Sequence, residues 1–299
     1  MKILITGSNG FIAQHIIKVL VDSGKHNIIA TSRDNDRSPL LNSPFYKFEN
    51  LDITNEKKVS ELITFFKPQI IIHAAANGSA DSCESNKPAC DVTNVSGTQF
   101  IVNAANIINA KVIFLSTDFI FNGENGPYSE DDIPNPINYY GESKLKAERY
   151  ITSNCNDFCT LRLCSVYGPA YFGRPRGIMT LTIDKLSKGK TLKAVSDQVR
   201  TPTYVGDIAK ATLQIIDLDI KGTFHISGEE TFTPFHMAIS TAYLYKLDPE
   251  LIIKVNSIDL DEPAKRPLIT GFIINKAKQA FNFKPISFED GLRKMENFK

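Results

Sequence analysis

The sequence predicts an α/β protein: a doubly wound parallel sheet with a smaller C-terminal domain interleaved with it. Three observations carry this reading. Apolar strand-like runs alternate with helical periodicity through the first half, the pattern of βαβ units. The first strand runs directly into a glycine-bearing turn at the head of a helix. After about Tyr167 the alternation loses regularity, and Gly, Pro and Arg gather in "YGPAYFGRPRG".

Taken in order, the strands are "KILITG", "HNIIATS", "FYKFENLD", "QIIIHAA", "KVIFLST" and "CTLRLCSV". Helical segments lie between them. In "TNEKKVSELITFFK", Val59, Leu62, Ile63 and Phe66 form one apolar stripe behind a Thr54 cap. "TYVGDIAKATLQII" is a further helix inside the less regular part, so the first domain is expected over 1–166 with roughly 200–222 added, and the smaller one over 167–299.

Composition narrows the class. With 299 residues, 42% hydrophobic and 22% charged, the chain can bury a sizeable core. Thirty-four basic against 33 acidic residues give a formal charge of +1, so no global field favours nucleic acid or an anionic membrane, and a small-molecule partner is expected. The opening "MKILITG" enters a strand at once, without the apolar core of a signal peptide, and no later run is long enough to span a bilayer. Cys83, Cys90, Cys155, Cys159 and Cys164 form no CxxC and pair with no histidine at zinc spacing. They read as reduced thiols in a cytoplasm, and no metal is expected.

The turn after the first strand, "TGSNGFIAQHI", has Gly7, Gly10 and Ala13 three apart, with Asn9, Phe11 and Ile12 between them. Gly7 permits a tight turn, Gly10 lets a pyrophosphate approach the backbone, and Ala13 allows close helix packing while the helix N-terminus faces the anion. This is the arrangement of a Rossmann-type nucleotide site. At the tip of the second strand stand Ser32 and Arg33, a hydroxyl and a guanidinium suited to a ribose 2′-phosphate, which favours NADP; Asp34 or Asp36 would serve NAD instead. Asp52 and Ile53 follow the third strand, where the Asp52 carboxylate could accept from an adenine amino group or cap the next helix. Ala74, Ala75 and Ala76 after the fourth strand leave room for a cofactor across the strand ends, and His73 reads as a packed strand residue.

Chemistry is signalled by "NYYGESKLKAERY". Of the ten tyrosines only Tyr140 is followed four residues later by a lysine, Lys144, which puts both on one helix face. A phenol beside an ammonium ion is expected to have a lowered pKa.

The early glycine turn, "DIT", "HAAA", "NVSGT", "LSTD" and Tyr140-x-x-x-Lys144 together resemble the extended short-chain dehydrogenase/reductase family. Within it, "STDFIFNGENGPYSEDDIPNPINYYGESKLKAE", "RTPTYVGDIA" and "KRP" look like the dTDP-4-dehydrorhamnose reductase branch, over essentially the whole chain. The resemblance implies NADPH-dependent reduction of the 4-keto group of a nucleotide-linked 4-keto-6-deoxysugar. It implies that Thr117 hydrogen-bonds the substrate carbonyl, Tyr140 donates the proton, and Lys144 binds the nicotinamide ribose and keeps the phenol acidic. Tyr139 is then a packing or substrate-facing neighbour. Asn94 matches the family asparagine that supports its helix and a relay water. Asp118 and Phe119, next to Thr117, and the arginines Arg174, Arg176, Arg200 and Arg266 are candidate substrate contacts, because guanidinium binds phosphate bidentately. Arg162 is expected in an internal ion pair. The long polar segment 121–138 is a candidate substrate lid.

Two alternatives stand beside this. Epimerisation or dehydration is disfavoured because dehydratase relatives carry an acidic pair after the threonine, whereas Asp118 here is followed by Phe119. A non-catalytic NADP-binding regulatory subunit is disfavoured by the intact Thr-Tyr-Lys set. After Arg266 the stretch "LITGF" departs from the polar-led stretch of the branch, which bears on the identity of the sugar. The reading allows a homodimer.

Overall fold

The computed structural model describes residues 1–39, 43–173 and 177–298, so Arg174 and Arg176 lie outside the described residues. Six strands follow the six apolar runs: β1 (Lys2–Thr6), β2 (Asn27–Ser32), β3 (Tyr46–Asn50), β4 (Ile70–His73), β5 (Lys111–Thr117) and β6 (Phe158–Leu163). The later strands are β7 (Val166–Tyr167), β8 (Leu192–Val195), β9 (Thr203–Tyr204), β10 (Gly222–Ile226) and β11 (Ile252–Val255). The main sheet has the order β10-β6-β5-β4-β1-β2-β3, and every neighbouring pair is parallel. Its central strands are Ile-, Val- and Leu-rich because helices cover both faces, so no side of the pleat can be polar. The chain reverses direction of growth between β1 and β4, which opens a crevice at the carboxyl ends of the strands.

The helices are α1 (Phe11–Asp22), α2 (Glu56–Phe66), α3 (Ala80–Ser85), α4 (Lys87–Asp91), α5 (Gly97–Ile107), α6 (Tyr139–Asn154), α7 (Ile178–Leu186), α8 (Val205–Asp217), α9 (Pro234–Leu244), α10 (Asn275–Phe281) and α11 (Phe288–Glu296). On one face α1 and α8 pack together over Ile3, Ile5, Ile72 and Ile113. On the other, α2 and α5 cover Leu4, Ile29, Ile71 and Val112. The apolar stripe of α2 is as expected, with Val59 and Ile63 buried and Leu62 and Phe66 at its margin. Its cap is not Thr54 but Asn55, whose side chain accepts from Lys58 N at 3.0 Å. Asn55 immediately precedes the first helical residue, and the Thr54 hydroxyl is spent on Asp52 at 2.8 Å.

β10 is a strand that the apolar pattern does not announce, because "GTFHI" opens on a glycine and carries a histidine; it extends the sheet beyond residue 222. Between α8 and the rest of the C-terminal part the chain builds separate clusters. Leu186, Leu192, Ala238 and Ile252 form one around α7, α9 and the β8–β11 pair; Tyr167, Met179, Met237, Phe288 and Leu292 form another. No helix among the described residues is long and apolar enough to cross a membrane.

Candidate active site

The crevice holds two cavities, of about 620 and 570 Å³, that meet at Gly10, Ala74, Ala76, Gly78 and Ser79. The larger is built on the glycine turn. Gly7 has φ +67°, and a Cβ there would lie 2.7 Å from Ala75 Cα, so both the left-handed backbone and the missing side chain are required. Gly10 N donates to Gly7 O at 2.8 Å, and α1 starts at Phe11 with no side-chain cap. Its first amides are therefore unclaimed at the mouth of the crevice, which fits a dinucleotide pyrophosphate.

Ser32, Arg33 and Asp34 line the same cavity, with Leu51, Asp52, Ile53, Ala74, Ala75 and Ala76. The Arg33 side chain is 77% exposed and only loosely paired with Asp34 at 4.0 Å, so it is free to turn toward an anion. The Asp36 carboxylate, the alternative that would serve NAD, is already engaged: both its oxygens accept from Tyr46 Oη, at 2.9 and 3.0 Å. Asn9 does not line the cavity; its Nδ2 donates to Ser32 Oγ at 3.1 Å and to Asn35 O, and so shapes the loop at the strand tip. Burial works to raise the Asp52 carboxyl, but the two hydrogen bonds from Thr54 together with the Arg33 and Lys58 charges outweigh it and hold the group below its ordinary range. It therefore stays an acceptor. His73 is packed, bonded to Thr6 Oγ1 at 2.8 Å and Thr98 Oγ1 at 3.0 Å, and burial followed by the Lys144 charge pushes it down to about 3.

The smaller cavity brings together Phe11, Ile12, Thr117, Asp118, Phe119, Tyr140, Lys144 and Arg266. Thr117 ends β5 and Tyr140 and Lys144 lie on α6, which starts at an Asn138 cap that accepts from Gly141 N at 2.9 Å. Gly141 is required there, since a Cβ would fall 2.0 Å from Phe119 O. Phe119 and Tyr140 meet edge to face at 6.0 Å. Lys144 Nζ donates to Leu115 O at 2.7 Å and sits 3.9 Å from the centre of the Phe114 ring; burial lowers its pKa to about 7, opposed by Glu148. The Tyr140 phenol departs from the expected direction. Burial raises its pKa and the Thr117 hydroxyl beside it pulls the other way. The ammonium that was to lower it is itself held back by the same dry surroundings.

Tyr139 points away from the cavity: its Oη donates to Asp91 at 2.6 Å, and its ring lies under Lys87 and Lys146. Packing, not substrate contact, is its place. Asn94 does not line the cavity but lies beneath it, on a π-helical turn over Val92–Ser96. Its Oδ1 accepts from Asn77 N at 2.7 Å and its Nδ2 donates to Ser143 Oγ at 2.9 Å, which ties the β4 loop to α6.

The arginine expectations divide. Arg200 does not reach the cavity. It is 5% exposed, and its guanidinium donates to Val199 O, Leu268 O, Pro267 O and Gln198 Oε1. A phosphate contact is corrected to an internal one, because a buried cation takes every acceptor near it. Arg266 lines the cavity but is clasped by Asp81, Nη1 to Oδ1 at 2.6 Å and Nη2 to Oδ2 at 2.7 Å. Asp118 borders the cavity with both carboxylate oxygens turned into the protein, so its place as a substrate contact is corrected as well. Arg162 is in the internal pair expected, with Glu148 Oε2 at 2.9 Å.

Segment 121–138 is anchored rather than loose. Tyr128 stacks on Phe121 at 4.2 Å, donates to Asn122 Oδ1 and bridges to Phe272; Asn138 Nδ2 donates to Lys265 O. Sequence reading missed Ser165, which lines the cavity with φ +43° between β6 and β7. It also missed Gly78, Ser79 and Ala80; only their small size after "HAAAN" signals them.

A strand-end glycine turn opening into one crevice with a Thr, Tyr and Lys defines the class: a nicotinamide-dependent oxidoreductase of the extended short-chain dehydrogenase/reductase type. The chain belongs to the family described as RmlD substrate binding domain, which matches residues 1–298. It is 31% identical to a dTDP-4-dehydrorhamnose reductase of Aggregatibacter actinomycetemcomitans, over 99% of each chain. It is 32% identical to methionine adenosyltransferase 2 subunit beta of Mus musculus, over 82% of this chain and 72% of that one. Among solved structures it resembles a dTDP-4-dehydrorhamnose reductase of Bacillus anthracis in complex with NADP, with TM-score 0.84, 25% identity and coverage of 99% and 98% of the two chains.

Proposed function

We propose that the protein is an NADPH-dependent reductase of the 4-keto group of a dTDP-linked 4-keto-6-deoxysugar. The observation that carries this is the convergence of Thr117, Tyr140 and Lys144 on one cavity that joins the glycine-turn cavity. NADPH, when bound, supplies hydride to the carbonyl carbon. Tyr140 Oη donates a proton to the carbonyl oxygen, giving the alcohol and leaving a phenolate that solvent reprotonates. Its raised pKa suits that role, since the phenol carries its proton at neutral pH. Lys144 leaves Leu115 O to hold the nicotinamide ribose, and Ser32 with Arg33 selects the 2′-phosphate. Arg266, once released from Asp81, is the cation for the sugar diphosphate. With the first unit over 1–166 and roughly 200–222 and the smaller one over 167–299, the sugar on this reading lies between the two units. The five cysteines are all free, in keeping with a cytoplasmic enzyme, and a homodimer is compatible with this reading.

The likeness to methionine adenosyltransferase 2 subunit beta favours a second reading, a non-catalytic NADP-binding subunit. The test mixes the protein with NADPH and a panel of dTDP-linked 4-ketosugars and follows nicotinamide absorbance. Consumption only with a 4-ketosugar supports the reductase. Tight NADPH binding with no turnover on any sugar moves the assignment to the subunit.

A further inference from the structure

The face of α6 that carries the tyrosine and the lysine continues one turn further. Tyr140, Lys144 and Glu148 recur every fourth residue, so their side chains lie along one side of the helix, and Lys144 and Glu148 are both buried. That side packs on the sheet. Lys144 lies over the Phe114 ring of β5, and Glu148 takes Arg162 of β6, Nε to Oε1 and Oε2 at 3.3 and 3.2 Å and Nη2 to Oε2 at 2.9 Å. In the parallel register Arg162 stands opposite Ser116, the residue after the Leu115 carbonyl that accepts from Lys144 Nζ. One buried carboxylate therefore serves two buried cations.

The cations differ in how firmly they hold their charge. Arg162 stays protonated throughout, whereas an ammonium taken out of water gives up its proton readily. The bond from Lys144 to Leu115 O is to a neutral acceptor and supplies no charge. The titratable and charged groups facing Lys144 are Tyr140 and Glu148 on its own helix, Cys83 on α3, Cys90 on α4 and His73 on β4; Arg162 on β6, backed by His225 on β10, faces Glu148. Of those facing Lys144, the carboxylate is Glu148.

We propose that Glu148 is a positioning residue for Lys144: the carboxylate it shares with Arg162 supplies the negative charge that keeps the lysine an ammonium ion when it turns from Leu115 O to the nicotinamide ribose. This rests on the reductase reading, in which a charged Lys144 holds the ribose and sustains proton donation by Tyr140. Arg162 in turn keeps the carboxylate ionised and fixed against the helix face, so the pair does more than brace α6 on the sheet. Burial lowers Lys144 to about 7 against the pull of Glu148, so its loss of charge falls where activity is measured. A lysine loses its proton as pH rises, and without Glu148 it does so at lower pH.

The experiment compares wild type, Glu148→Gln and Glu148→Asp over a pH series. The Lys144 Cε resonance of lysine-labelled, cofactor-free protein, assigned by its loss in Lys144→Arg, gives the titration midpoint; kcat/KM for NADPH at saturating ketosugar, which reports the same free protein, is measured beside it. Glu148→Gln keeps the shape and loses the charge. Its Lys144 midpoint should fall by about one pH unit and the alkaline limb should move with it, so that kcat/KM drops about tenfold at about pH 8 and less than about threefold at about pH 6. Glu148→Asp keeps the charge and loses a methylene, and its midpoint should stay within about 0.3 units of wild type. An unmoved midpoint in Glu148→Gln, or equal shifts in both variants as a packing role requires, overturns the proposal. Should Glu148→Gln fail to fold around an unpaired Arg162, the double variant Glu148→Gln/Arg162→Met removes both charges at similar volume, and its midpoint should still lie about half a unit below wild type; a wild-type midpoint there overturns the proposal equally. The resonance needs no ketosugar: a wild type that reduces none removes the reductase reading, whereas turnover with an unmoved midpoint removes this inference alone.

Discussion

At the scale of residues, adjacent phenols on α6 meet opposite surroundings. Tyr139 Oη is spent on Asp91, so Tyr139→Phe should cost about 1 kcal/mol of stability, read from its urea midpoint, with little change in the hydride step. Arg33, largely exposed beside Ser32, is the candidate reader of the 2′-phosphate. Arg33→Ala should weaken NADPH by roughly ten- to a hundredfold in titration while NADH changes little, since a charge-assisted hydrogen bond is worth about 1.5–3 kcal/mol. Equal losses for both cofactors would contradict that role. The tyrosine–lysine spacing was legible because helix periodicity alone aligns the pair. Arg200 and Asp118 were not, because charge and residue type say nothing about burial: the same guanidinium that could bind phosphate is here enclosed by carbonyls.

At the scale of elements, a buried chain of polar contacts ties α6 to the sheet and to the segment beside the site. Glu148 on α6 pairs with Arg162 on β6; Arg162 Nη1 approaches His225 Nε2 on β10 at 3.4 Å, and His225 Nδ1 bonds Tyr128 O at 3.0 Å. Arg162→Met would leave the Glu148 carboxylate buried and unpaired, at a cost of about 3–5 kcal/mol, which urea unfolding would report. The strands β1 to β6 were legible as uninterrupted apolar runs. β10 was hidden by His225, whose ring is satisfied only through partners distant in sequence. The π-helical turn holding Asn94 was hidden too, since its extra residue follows from packing against Asn77 and Ser143, not from local propensity.

At the scale of the whole molecule, two enclosed histidines tie stability to pH. His73 is pushed down to about 3 by burial and then Lys144, and His225 to about 3 by burial and then Arg162, from an ordinary value of 6.5. The unfolded chain binds protons at both sites before the folded chain does, so stability should be complete above about pH 6.5 and fall steadily toward pH 3. The midpoint of thermal unfolding followed over that range checks this, and replacing His225 should flatten the slope. The composition and the alternation of strands and helices disclosed the doubly wound sheet and its crevice; the way the C-terminal part returns α8 and β10 to that sheet depends on long-range pairing that no local pattern records. What the crevice does is tested most directly by the hydride step itself, measured in a single turnover with saturating NADPH and dTDP-linked 4-ketosugar for wild type and Tyr140→Phe. Loss of the positioned acid should slow that step by about a hundred- to ten-thousandfold at nearly unchanged NADPH affinity; a Tyr140→Phe variant as fast as wild type would contradict the assignment of the proton donor and the mechanism built on it.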